Sequence, residues 1–206
     1  MTARSITGMF VAAALAVAVP CTYAQEKPAE KPAKPAASAP AAPPAAPKPP
    51  AEMSQLKFFE GNWTCKGEMS PGPGAPMVKS TSSVKSATAL GGFWQAGTVR
   101  GTMPGMPAFE GKFHMTYDPG AKQYVMVWVD NMGSRATSMA PGWEGDAIAF
   151  TGEGVMGGQK IMGRDTFTKK EGALVHKTEM ELEGKWTNMG EETCKKAAAA
   201  PAAKKE

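Results

Sequence analysis

The sequence predicts an all-β protein: a single antiparallel barrel of about ten strands, preceded by a short helix. Three observations carry that expectation. After Gly61 apolar residues recur at every second position, the period of a strand with one face buried. Glycines and prolines interrupt these runs about every 8–12 residues, the spacing of an antiparallel sandwich or barrel. The stretch from Asn62 to Cys194 holds about ten such runs, enough for the sheet to close and remove its edges.

The elements follow in order. Met53, Leu56 and Phe59 stand at i, i+3 and i+6, one face of a short helix ahead of the sheet. Asp118-Pro119-Gly120-Ala121 separates Phe113–Tyr117 from Gln123–Asp130 and reads as a tight hairpin. In Gln123–Asp130, Tyr124, Met126 and Trp128 point one way and Val125, Val127 and Val129 the other. Gly152-Glu153-Gly154 and Gly157-Gly158 read as turns between strands. In Leu174–Glu183, Leu174, His176, Thr178, Met180 and Leu182 share an apolar face, while Lys177, Glu179, Glu181 and Glu183 form the face in water.

The flanks are of another kind. Residues 1–24 carry a positive start at Arg4, an apolar run from Met9 to Val19 and small residues before Gln25, the pattern of a signal peptide cleaved after Ala24. The apolar run is too short to span a bilayer, which takes about 20 residues. Lipidation of Cys21 is the alternative, against which Pro20 stands where a small residue is expected. Residues 25–51, almost all Pro, Ala, Lys and Glu, predict an extended linker with a reach on the order of 80 Å. Such a linker reads first as a solvated spacer with no specific partner; the alternative is a tether that holds the domain away from a membrane or wall and engages cell-envelope partners. Residues 196–206 predict a disordered Ala/Lys tail, leaving 52–195 as one domain in a periplasmic or secreted protein.

Charge excludes one class of partner. Glu52–Cys194 contains 14 Lys/Arg against 16 Asp/Glu, a net −2, so the overall +4 resides in the flanks. A nucleic-acid binder displays a basic face on its folded domain, and this domain has no such excess. With Cys21 removed, Cys65 and Cys194 remain as an even pair in an oxidising compartment, which predicts a disulfide. If the sheet closes, the first and last strands are neighbours and the bridge staples their seam.

The residues Leu56-Lys57-Phe58-Phe59-Glu60-Gly61-Asn62-Trp63 resemble the Leu…Gly-x-Trp opening of calycin-like barrels. Leu90-Gly91-Gly92-Phe93-Trp94, Tyr117-Asp118 and Lys122-Gln123-Tyr124…Trp128-Val129-Asp130 occur in similar order in the bacterial family catalogued as domain of unknown function 1579. The resemblance spans about residues 54–194. It implies a lipocalin-like barrel with a central cavity and implies no reaction. Related barrels include haem-binding nitrobindins, which ligate iron through a histidine near the last strand. Trp186–Cys194 contains none, and His176 is the one substitute.

No catalytic constellation emerges. There is no Gly-x-Ser-x-Gly elbow, and no serine–histidine–carboxylate set assembles with specificity. His114 alternates onto the solvent face. The sequence therefore predicts a non-catalytic protein without a cofactor, whose cavity binds a small apolar molecule. Trp63, Tyr124, Met126, Trp128, His176 and Met180 are the expected lining residues, and Trp63 serves equally as a plug. Two alternatives accompany this reading. One is a structural or envelope-interaction module with a packed interior. The other is a methionine-rich copper binder, because 13 of the 15 methionines follow residue 52, with Met69, Met77, Met103 and Met106 in Pro/Gly-rich loops, and thioethers favour Cu(I). Methionine also fills irregular apolar space readily.

Overall fold

Period-two alternation becomes strand almost wherever the sequence shows it. The computed structural model describes residues 45–197. The predicted signal peptide, with Cys21, most of the linker and most of the tail lie outside the described residues. The strands are β1 (Gly61–Met69), β2 (Val78–Ala89), β3 (Trp94–Thr102), β4 (Phe109–Asp118), β5 (Gln123–Asp130) and β6 (Arg135–Ala140). They continue with β7 (Trp143–Glu144), β8 (Ala147–Met156), β9 (Gln159–Lys170), β10 (Ala173–Leu182) and β11 (Lys185–Lys196).

Every pairing is antiparallel and joins neighbours in sequence, with two exceptions that close the sheet. The strand β6 pairs with β8, and β1 pairs with β11. Since β7 only borders β8 as a two-residue spur, the ring has ten strands, as the alternation predicts. At the seam Cys65 stands directly opposite Cys194 and the two form a disulfide. Outward positions of β1 and β2 are exposed polar groups such as Lys66, Glu68, Lys79 and Lys85, unlike the apolar outer band of a membrane-spanning barrel. No helix among the described residues is long and apolar enough to cross a membrane.

One end of the barrel is plugged. The helix α1 (Met53–Leu56) runs into a 3-10 turn over Lys57–Phe59, and Met53, Leu56 and Phe59 are all buried. So short a helix has little stability of its own; its three apolar side chains fix it against the barrel floor. Two hydrogen bonds lock it there. Trp63 Nε1 donates to the Phe59 carbonyl at 3.0 Å, and Tyr124 Oη donates to the Glu52 carbonyl at 3.2 Å. Burial raises the Tyr124 phenol above its ordinary pKa, with smaller contributions from Glu52 and Tyr117.

The predicted hairpin is present: Asp118 Oδ1 accepts from the Gly120 and Ala121 amides at 2.8 and 3.2 Å. Two expectations are corrected. Gly152-Glu153-Gly154 is not a turn but lies within β8. A Cβ at Gly152 would sit 2.2 Å from the Thr137 carbonyl oxygen, and one at Gly154 would sit 2.9 Å from that of Arg135. Glycine is required there because β6 and β8 approach too closely for any side chain. Gly157-Gly158 is the turn, with φ of +56° and +81°.

The second correction concerns Glu179, expected in water. It is only 8% exposed, because Arg164, opposite it on β9, and Lys177 each reach a different carboxylate oxygen at 2.8 Å. Burial alone would raise its pKa. The hydrogen bonds from Lys177 and Arg164 outweigh that, and the group titrates below the ordinary carboxylate range.

Candidate ligand-binding cavity

In a barrel whose strands run up and down, alternate loops gather at opposite ends. The helix occupies the end where β1 begins. The β1–β2, β3–β4, β5–β6, β8–β9 and β10–β11 connections therefore form the other end, the mouth. Between floor and mouth lies a cavity of about 540 Å³, within the range of about 300–1,000 Å³ that small-molecule sites occupy.

Its walls differ in chemistry. Phe59 and Trp63 form the floor. On one side Phe113 and Met115 of β4, Met126 and Trp128 of β5 and Ala136 of β6 make an apolar wall. Trp128 stacks on Phe109 at 5.9 Å and donates its Nε1 hydrogen to Asp130 Oδ2 at 3.1 Å. Room for that indole comes from Gly111, where a Cβ would meet the ring at 2.3 Å. At the mouth Met69, Met103, Met106, Met132 and Met156 contribute to the lining, unbranched side chains that adjust to whatever passes.

The opposite wall, from β2, β9, β10 and β11, sets polar groups among apolar ones such as Phe167, Leu174 and Met180. Asp165 Oδ1 accepts from Thr178 Oγ1 at 2.9 Å and lies 2.9 Å from His176 Nε2. A carboxylate only accepts, so the imidazole hydrogen on Nε2 belongs to this bond. The His176 ring lies flat on Phe167, with centroids 4.5 Å apart and planes 9° apart. One strand further, Glu192 stands opposite His176 in register. Its two carboxylate oxygens accept from Ser80 Oγ at 2.8 Å and Ser82 Oγ at 3.2 Å.

Of the six expected lining residues, the structure brings Trp63, Met126, Trp128, His176 and Met180 to this cavity. Tyr124 is not among its lining residues. Although it alternates inward with Met126, it sits lower, packed edge-on to Tyr117 at 5.1 Å and tied to the helix plug. Trp63 joins both expectations, since it lines the cavity and caps the helix. His114 is exposed and packs edge-on to Trp94 at 6.2 Å.

Sequence reasoning missed most of the polar wall. Alternation could have found it, because Glu192 is two residues from the inward Cys194. Ser80 and Ser82 likewise alternate with Val84 and Ser86. Among the described residues no three His, Cys, Asp or Glu side chains converge as a metal-binding set. Residues Trp186–Cys194 hold no histidine, and His176, the one substitute, has its Nε2 engaged by Asp165 at 2.9 Å, an arrangement that does not fit a haem ligand. A second concavity beside the exposed Arg100–Glu110 ion pair is broadly open to solvent.

Comparison with known proteins adds the family and the fold. The model of a family described as "Protein of unknown function (DUF1579)" matches residues 48–196. No curated protein sequence matches the chain. Among solved structures, the crystal structure of Rv2717c from M. tuberculosis is similar with a TM-score of 0.58 and 13% identity. The match covers 73% of this chain and all of that one, a likeness of fold alone.

Proposed function

The chain belongs to the DUF1579 family of proteins of unknown function, and we propose that its barrel is a non-catalytic receptor for one small, largely apolar molecule. The observation that carries this reading is the cavity itself: about 540 Å³, an aromatic and methionine wall, and a few polar groups converging from the other side. A module serving only as a scaffold would gain stability by filling that space, since protein interiors pack as densely as organic crystals. The disulfide across the seam supports a working place outside the cytoplasm, periplasmic or secreted.

Nile red, a neutral apolar dye, tests the reading on the full chain. Its emission is expected to saturate at one dye per chain and to be displaced by lipids extracted from the source cells. Val99→Trp, which puts an indole into the cavity wall, is expected to abolish the saturable signal while far-ultraviolet circular dichroism stays unchanged. A dye signal equal in both proteins would sink the cavity reading.

One observation favours a second reading. The mouth collects methionines from four connections or their flanking strand ends, which suits a Cu(I) site as well as an apolar entrance. Titration with Cu(I) under ascorbate separates them. A site of defined stoichiometry that disappears in Met103→Ala or Met106→Ala supports copper, and its absence leaves the apolar entrance.

A further inference from the structure

The cavity is two-sided, and the polar side has an unbalanced charge. Glu192 is 8% exposed, yet the groups that reach its carboxylate are the hydroxyls of Ser80 and Ser82. Among the described residues no Lys, Arg or His nitrogen lies within ion-pairing distance of it. Glu179 offers the contrast, because the same chain gives that buried carboxylate two cations. Asp165 lies one strand beyond His176 on this wall and shares its hydrogen bond with that imidazole. A buried carboxylate is costly unless hydrogen bonds and a countercharge offset its lost hydration. Two hydroxyls supply part of the offset at Glu192, and its remaining lone pairs accept only from a donor.

We propose that the cavity selects amphiphilic cations: a molecule whose apolar body lies along Met126 and Trp128 and whose protonated amine head meets Glu192, with Asp165 as the second acceptor. The inference rests on the ligand-binding reading above and specifies the chemistry of its ligand. The placement follows from the walls. An alkyl or aromatic body finds Phe113, Met115, Met126 and Trp128 on one side, and the methylenes next to an amine nitrogen lie against the stacked Phe167–His176 pair. An ammonium group donates up to three hydrogens and accepts none, which matches a wall presenting carboxylates. A fatty carboxylate in the same place would set like charges together in a site of low dielectric.

Three probes with one tail separate this claim from the reading beneath it. Dodecylamine, dodecanol and dodecanoate, each below its micelle threshold, are titrated into the full chain at neutral pH by calorimetry. The expected order is amine, then alcohol, then carboxylate, with the amine about tenfold or more tighter than the alcohol, as a charge-assisted hydrogen bond gives. Glu192→Gln is expected to bring the amine down to the alcohol's affinity and leave the alcohol unchanged. Asp165→Asn, which keeps the shape of the wall, is expected to weaken the amine by a smaller factor and serves if the first variant does not fold. Equal binding of all three, or preference for dodecanoate, overturns the cationic assignment and leaves the cavity reading intact. An amine preference that survives Glu192→Gln overturns the role given to Glu192. Binding of none of the three overturns both the inference and the ligand-binding reading.

Discussion

The two ends of this barrel are built from opposite materials. At the floor, a seven-residue helical segment drives Met53, Leu56 and Phe59 against Trp63, with Leu56 wholly buried. At the mouth, connections rich in glycine and proline carry methionines, and Met132 is 42% exposed. The floor binds its own chain through fixed aromatic contacts and two hydrogen bonds to backbone carbonyls. The mouth offers soft, adaptable side chains, and among the described residues the space behind them is open. The difference separates stability from function: substitutions at the floor should unfold the protein, and substitutions at the mouth should change what it holds.

The largest expected effect tests the seam that joins the ends. Cys65 and Cys194 are 129 residues apart in sequence, and closing so long a loop contributes about 4–5 kcal/mol on the chain-entropy model. The double variant Cys65→Ser/Cys194→Ser should lower the urea midpoint accordingly, and an unchanged midpoint would remove the bridge from the account. Next is the floor itself. Leu56→Ala should cost about 3 kcal/mol through lost burial and an unfilled hole, read by the same denaturation curve.

Glu179 gives a smaller effect with a defined sign. Its pKa is lowered by folding, so its contribution is present above the ordinary carboxylate range and is lost as pH falls through the lowered folded value. Glu179→Gln should therefore reduce stability at neutral pH by about 1 kcal/mol, a figure held down by the partial exposure of Arg164 and Lys177. It should also flatten the acid limb of the stability–pH curve. A parallel shift of the whole curve would show that the carboxylate's charge is not what matters.

The smallest stability effect belongs to the mouth. Met132→Ala and Met103→Ala should each change folding stability by less than about 0.5 kcal/mol. They should nonetheless weaken Nile red by roughly fivefold, the value of about 1 kcal/mol of apolar contact. A mouth variant that destabilises as strongly as Leu56→Ala would erase the distinction between the two ends.

Much of this architecture is legible in the sequence, for physical reasons. Alternation in Gln123–Asp130 fixes which side chains of β5 face inward, because a strand allows only two faces. The pair Cys65 and Cys194 makes sense only if the first and last strands touch, and closure provides that contact. Alternation does not give depth along the barrel. Tyr124 and Met126 share a face, yet one ties down the plug and the other lines the cavity. Nor does it report what crosses between strands. Glu179 reads as solvated until Arg164 is brought beside it by the β9–β10 register. Gly152 and Gly154 read as a turn until β6 presses on them. The carboxylate at Glu192 is visible as a letter but not as an interior group, because its serine partners lie more than a hundred residues away.

A small apolar molecule that enters the barrel is expected to rest between Trp63 and Trp128, both of which line the cavity. A brominated long-chain alcohol quenches tryptophan emission only on close contact, so it reports that position directly. Titrated into the full chain, it should quench saturably at one molecule per chain. In Trp128→Phe much of that quenching should disappear while binding by calorimetry persists. Quenching that rises linearly without saturation, and is unaffected by Val99→Trp, would contradict the account.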